Sequence, residues 1–125
     1  MCGIAGLINY RSDHREIIRK SLSHRGPDAQ NTYKYRNIYL IHTRLSIQDI
    51  AQGSQPMLIG NYVIVFNGEI YNHLSLRSKV TNYKFKTQSD TETLLALFIE
   101  YGISVLNDCD GMFAFAILDK KSNKL

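Results

Sequence analysis

An α+β fold in which one β-sheet packs on another, with helices outside, is what this 125-residue sequence predicts. Two strands point to it: Tyr62-Val63-Ile64-Val65-Phe66 and Met112-Phe113-Ala114-Phe115-Ala116-Ile117-Leu118 are apolar on both faces and therefore need cover on both sides. Two segments with helical start and stop signals, near residues 13–22 and 93–101, can supply the outer layers.

In chain order, Gly3-Ile4-Ala5-Gly6-Leu7-Ile8 is a short apolar run that suits a buried strand, its glycines leaving room for close backbone approach. Asp13 followed by Glu16 resembles a helix N-terminus. Ile17, Ile18 and Leu22 give that helix an apolar stripe, and Gly26-Pro27 stops it. Thr32 to Tyr35 and Ile38 to His42 read as strands joined through Arg36-Asn37. Tyr62 to Phe66 is the clearest strand, β-branched and aromatic throughout. Ser89-Asp90-Thr91-Glu92 fits a capping box, Thr93 to Tyr101 is apolar enough for a buried helix, and Gly102 stands where a C-terminal glycine belongs. Met112 to Leu118 leads into a turn at Lys120 to Asn123, which is expected to reverse the chain into a further strand. There is no repeat, low-complexity stretch or linker, so the chain reads as one packed unit. Because the turn is followed only by Lys124-Leu125, that unit is expected to be incomplete at its C-terminus.

A hydrophobic content of 44% over 125 residues supports one core and not two domains. Lys+Arg 15 against Asp+Glu 11 gives a net charge of +4, with a pI near 9.1. The basic residues are scattered in ones and twos among acids, without the aromatic-basic repeat of a nucleic-acid surface, so a solvated mixed surface is the better reading. Two cysteines make no disulfide framework, and no apolar stretch reaches the length of a signal peptide or membrane span. The expectation is a cytoplasmic protein that binds neither nucleic acid nor membrane.

The chemistry starts at the N-terminus. Once the initiator methionine is removed from Met1-Cys2-Gly3, Cys2 carries a thiol and a free α-amine on one carbon. A thiol of pKa about 8.5 beside an amine of pKa about 7.7–8.0 is a nucleophile with its own base. A retained Met1 would acylate that amine and remove the base. The competing reading is an ordinary buried cysteine. Arg44-Leu45-Ser46-Ile47 follows a strand ending at His42, where an arginine can grip a carboxylate with two parallel hydrogen bonds, or form a surface salt bridge. Asn67-Gly68-Glu69 closes the apolar strand. The asparagine amide and the glycine N–H suit an oxyanion, although Asn-Gly after a strand is also an ordinary turn. Glu69, at the start of a following helix, serves its dipole or a ligand. Asp90 serves the helix start or receives an ammonium group. Arginine for a carboxylate, Glu69 and Asp90 for an ammonium, and a thiol beside Asn67-Gly68 for a carbonyl under attack together describe an amino acid with an amide side chain. Glutamine fits. Cys109, without a neighbouring base, is assigned to structure.

The order Cys2-Gly3-Ile4-Ala5-Gly6, His24-Arg25-Gly26-Pro27-Asp28, Arg44-Leu45-Ser46-Ile47, Gln55-Pro56-Met57, Phe66-Asn67-Gly68-Glu69-Ile70-Tyr71-Asn72, Ser89-Asp90-Thr91-Glu92 and Gly111-Met112-Phe113-Ala114-Phe115 resembles the glutaminase domain of the glutamine-dependent asparagine synthetases over essentially the whole chain. The resemblance implies a class II glutamine amidotransferase with the N-terminal-nucleophile hydrolase fold, a four-layer αββα sandwich with two antiparallel sheets. It implies Cys2 as nucleophile and Asn67 with Gly68 as oxyanion hole. Arg44, Ile47, Glu69 and Asp90 would hold L-glutamine, with Leu45, Ser46, Gln48, Asn67 and Gly68 completing the contacts. The glutaminase step would need no metal or cofactor. Ammonia would pass to a C-terminal synthetase domain, absent from this chain, where ATP and Mg2+ activate aspartate. Homo-oligomerisation is left open.

Sister amidotransferases typically carry Arg-Gly-Tyr-Asp or Arg-Gly-Gln-Glu where this chain has Arg25-Gly26-Pro27-Asp28. Cys2 argues against the β-lactam synthetases, which have lost the nucleophile. Amidotransferases acting on cell-surface polysaccharide look similar in this half and remain an alternative acceptor class. Family glutaminase domains continue through a block resembling Arg-Asp-Arg-x-Gly that is not found here, so a non-catalytic fragment that binds an amino acid or another subunit is the competing class.

Overall fold

A computed structural model describes residues 2–45 and 53–125. The elements are β1 (Gly3–Ile8), α1 (Ser12–Leu22), β2 (Ala29–Tyr35), β3 (Ile38–Arg44), β4 (Met57–Ile59), β5 (Tyr62–Ile70), α2 (His73–Leu76), α3 (Asp90–Tyr101) and β6 (Gly111–Asp119). They form two three-stranded sheets, ordered β1-β3-β2 and β4-β5-β6, with every pairing antiparallel.

Alternation along β5 explains the layering, because successive side chains of a strand point to opposite faces. Val63 and Val65 pack with Ile38 and Leu40 of β3 and Leu118 of β6, filling the space between the sheets. Ile64 and Phe66 turn the other way and pack with Leu94, Leu95 and Leu97 of α3 and Ile117 of β6. Helix α1 covers the outer face of the first sheet, where the Thr43 hydroxyl donates to the Leu22 carbonyl at 3.2 Å. The result is the four-layer αββα sandwich that the resemblance implied.

Several elements differ from the sequence expectation. The strand read as closing at Phe66 continues to Ile70, with Asn67, Gly68 and Glu69 paired to Ala114, Phe113 and Met112. Asn67-Gly68 is therefore not a turn, and Glu69 is a strand residue, since α2 begins only at His73. Gly68 has φ of 150°, and a Cβ there would overlap the Met112 carbonyl and the Phe113 Cα, so glycine is what lets β5 continue beside β6. Strand β3 runs to Arg44 rather than His42, and β4 was not foreseen. Strand β1 was expected to be buried; as a sheet edge it buries only Gly3 fully, and Ile8 is 54% exposed. Ile17 also faces solvent, because the inward face of α1 is built at the spacing Arg15, Ile18, Leu22. Arg15 lies over the rings of Tyr10 and Tyr39. The apolar β6 buries Ile117 and Leu118, while Met112, on the outer edge of its sheet, is 68% exposed. The expected turn at Lys120 to Asn123 is present, closed by paired backbone bonds between Asp119 and Lys124.

The capping box is half formed. The Ser89 hydroxyl accepts from the Thr91 N–H at 3.2 Å, but Glu92 does not reach back to Ser89. Its buried carboxylate accepts from the Tyr83 hydroxyl at 2.7 Å, the Lys86 N–H at 2.9 Å, and the Thr87 N–H and hydroxyl at 2.8 Å each. Burial alone would raise the Glu92 pKa, but these donors outweigh it and the carboxyl sits below its usual range. Its contribution is then complete above the unfolded-state pKa and is lost as pH falls through the lower folded-state value. Glu92→Gln is expected to cost about 1.5–3 kcal/mol in urea unfolding at neutral pH, and the difference from wild type should shrink on acidification.

Candidate active site

The site is built where β1, β3 and β5 meet the start of α3. Register pairs Gly3 with Thr43, which sets Cys2 beside the residues that leave β3. The Leu45 N–H donates to the Cys2 sulfur at 3.4 Å, and the thiol lies 3.6 Å from the Leu45 carbonyl. Arg25 Nε donates to the Cys2 carbonyl at 3.1 Å. The following Gly26 runs so close to β3 that a Cβ would overlap the backbone at Thr43 and Arg44, and the Asp28 N–H donates to the Arg44 carbonyl at 3.0 Å. Arg25-Gly26-Pro27-Asp28 is thus the splint that fixes both Cys2 and the backbone of Arg44. Arg44 itself is 8% exposed.

Across the inter-sheet space, alternation puts the Asn67 side chain on the Val63-Val65 face of β5, toward the first sheet. Its Oδ1 is shielded from solvent and has no hydrogen-bond partner among the described residues. On the edge of β5 that faces away from β6, β4 pairs only with Tyr62, Val63 and Ile64. Beyond it the Phe66 N–H donates to Gln55 Oε1 at 2.6 Å and the Ile70 N–H to Asp90 Oδ2 at 3.0 Å. The N–H of Gly68 lies between these two on the same edge by the pleat of the strand.

Asp90 opens α3 and is 5% exposed. Burial pushes its carboxyl above the usual carboxylate range; the N–H groups of Ile70 and Thr91 and the nearby His73 oppose the shift, and Glu69 adds to it. His42 is fully buried, and neither ring nitrogen has a partner among the described residues. Burial and then the Arg44 cation push its pKa down to about 4, so the imidazole is neutral at pH 7.

Cys2, Arg44, Leu45, Asn67, Gly68, Glu69 and Asp90 all line one cleft, with a cavity of about 130 Å³. That is close to the roughly 150 Å³ in which an engineered cavity holds a six-membered ring, a size for a small molecule. Ser46, Ile47 and Gln48 lie outside the described residues. His42, Gln55 and Thr91 also line the cleft and escaped the reading from residues. The alternation Ile38, Leu40, His42, Arg44 was the one signal that could have placed His42 there.

Over residues 1–125 the sequence matches the glutamine amidotransferase domain family. The chain belongs to that family. This amidotransferase domain is 42% identical over 132 residues to asparagine synthetase B of Escherichia coli (strain K12), covering 98% of the chain and 24% of the bacterial protein. It is 40% identical to glutamine-hydrolysing asparagine synthetase 1 of Arabidopsis thaliana, with 98% and 22% covered. Against glutamine-hydrolysing asparagine synthetase 2 of Bacillus subtilis (strain 168) it is 38% identical, with 100% and 18% covered. The chain therefore spans about a fifth of the length of these relatives. Among the described residues no helix of the amidotransferase domain is long and apolar enough to cross a membrane.

The glycine at position 68 provides a direct check on this geometry. Gly68→Ala should lower stability by more than about 1 kcal/mol in urea unfolding, because its φ is strained for an L side chain and its Cβ meets backbone.

Proposed function

We propose that this domain hydrolyses the side-chain amide of L-glutamine and delivers ammonia to a synthetase domain of a longer protein. The observation that carries the reading is the convergence of Cys2, Arg44, Asn67, Gly68, Glu69 and Asp90, remote in sequence, on one cavity of amino-acid size. Arg44 receives the α-carboxylate, and Asp90 with Glu69 the α-ammonium. The side-chain amide is then directed at Cys2.

In the first step the Cys2 α-amine takes the thiol proton, sulfur bonds to the amide carbon, and the carbonyl oxygen becomes an oxyanion held by the Asn67 amide and the Gly68 N–H. The ammonium returns its proton to the leaving nitrogen as the C–N bond breaks, leaving ammonia and a γ-glutamyl thioester. Water activated by the same amine attacks the thioester carbon, glutamate departs, and the thiol is regenerated. The names of the relatives support aspartate as the final acceptor, amidated to asparagine. ATP and Mg2+ would act outside these 125 residues, in a cytoplasmic protein.

Cys2→Ala in the full-length protein should abolish glutamine-dependent ammonia release and leave ammonia-dependent synthesis intact; retained hydrolysis would refute the assignment. The recognition and catalytic groups should separate kinetically. Arg44→Ala and Asp90→Asn are expected chiefly to raise the glutamine KM, by about 1.5–3 kcal/mol each, whereas Asn67→Ala should lower kcat by roughly 10²–10³-fold.

A pH dependence follows from Asp90. Its carboxyl is raised in the folded protein, so the acceptor for the ammonium is lost on acidification at a higher pH than for an ordinary carboxylate of pKa about 3.9. The glutamine KM should rise as pH falls from about 7 toward 4, and Asp90→Asn should flatten that limb.

A further inference from the structure

We infer that Gln55 is a positioning residue of the glutaminase step: its amide sets the place of the Asn67-Gly68 oxyanion donors relative to Asp90. The inference rests on the reading of the cleft given above.

In the β4-β5 register Met57 faces Ile64 and Leu58 faces Val63, so continuation of the ladder would set position 55 opposite Phe66. The ladder stops short of it, because β4 begins only at Met57. The Gln55 side chain replaces the missing backbone carbonyl: Oε1 accepts the Phe66 N–H at 2.6 Å. Its other end makes a different bond, Nε2 donating to the Thr91 hydroxyl at 3.2 Å. That hydroxyl lies 3.5 Å from Asp90 Oδ1, and Asp90 Oδ2 accepts the Ile70 N–H at 3.0 Å.

These contacts close a ring. It leaves β5 at Phe66, crosses through Gln55, Thr91 and Asp90, and returns to β5 at Ile70. The segment it spans is Asn67-Gly68-Glu69. Both anchors are buried, Gln55 at 6% and Asp90 at 5% exposure, so water does not substitute readily for a lost member. An amide is the side chain that fits, because the position needs an acceptor for Phe66 and a donor for Thr91 from the same group. A carboxylate supplies the first and not the second, and an apolar side chain of equal length supplies neither. The chemical consequence is specific. Misplacing an oxyanion donor by about 1 Å costs on the order of 10²-fold in rate while leaving the contacts to the α-carboxylate and α-ammonium in place.

The test uses the full-length protein as wild type, Gln55→Met and Gln55→Glu. Active Cys2 is counted with a γ-diazoketone analogue of glutamine. Inhibition is measured with glutamate γ-semialdehyde, whose thiohemiacetal with Cys2 carries the oxyanion, and with glutamate, which carries the α groups only. Gln55→Met is expected to lower kcat per active Cys2 by about 10²-fold and to raise the semialdehyde Ki by the same factor, with the glutamate Ki within about threefold. Gln55→Glu, which keeps the acceptor for Phe66 and loses the donor to Thr91, should leave kcat and the semialdehyde affinity between those of wild type and Gln55→Met. A Gln55→Met protein with fewer active sites but unchanged kcat per site and an unchanged ratio of the two Ki values would overturn the inference. Equal effects of Met and Glu on the semialdehyde Ki would overturn it as well, and this comparison stands when Gln55→Met folds poorly. A wild-type protein that neither hydrolyses glutamine nor binds the semialdehyde would refute the reading of the cleft and this inference together.

Discussion

The edge of β5 beyond Ile64 is the constraint on which the rest of the site depends. A buried backbone N–H without a partner costs about 1–3 kcal/mol, a large share of the 5–15 kcal/mol by which a domain is stable. Strand β5 runs nine residues while β4 is only three residues long, so the far half of that edge must be satisfied in another way. Closing it with a strand would fill the cleft with backbone. Side chains close it instead, Gln55 at Phe66 and Asp90 at Ile70, and the gap between them is where a ligand can reach the backbone. The unpaired edge, usually a liability of sheets, is here the floor of the cleft.

Charge placement follows from the same geometry. Asp90 must sit at the first turn of α3 to reach the Ile70 N–H, and there the helix dipole favours its ionised form while burial disfavours it. Burial prevails, and its pKa is raised. A carboxylate held at such a cost gains by meeting a cation. Arg44, mostly buried, lines the same cleft. His42 adds no competing charge, since its imidazole is neutral at physiological pH.

Residue patterns made most of the framework legible. Helices α1 and α3, the strand cores and the turn after β6 all carry local signals, and Ser89, Gly102 and the run Tyr62 to Phe66 behave as local propensity dictates. The failures share one cause. Asn67-Gly68 has the local chemistry of a turn, and nothing nearby in sequence says that Ala114 and Phe113 will hold it extended. Ile8 and Met112 have the composition of buried strand residues, and only topology reveals that β1 and β6 are sheet edges. In the site, residues with conspicuous chemistry, a terminal thiol, an arginine, a buried-strand asparagine, could be picked out singly. Gln55 could not, because its role consists of two bonds to partners 11 and 36 positions away.

The same dependence on distant partners extends outward from the cleft. Asp90 reaches Ile70 only when α3 begins at the right residue, and the segment before α3 fixes that start together with the Ser89 cap. Arg77 donates to the carbonyls of Thr87 and Ser89 at 2.8 and 3.0 Å and lies 4.2 Å from the centre of the Phe85 ring. Glu92 holds the backbone of Lys86 and Thr87 from within the helix. One cation and one carboxylate, 4.0 Å apart and both largely buried, thus clamp the approach to the helix from its two sides. Their mutual attraction offsets part of the cost of burying each. Their hydrogen bonds to backbone transmit position: the loop sets Ser89, Ser89 sets the first turn, and the first turn sets Asp90 against β5. A side chain three positions inside a helix, which local capping rules would spend on Ser89, is spent instead on the segment that places the cleft's carboxylate.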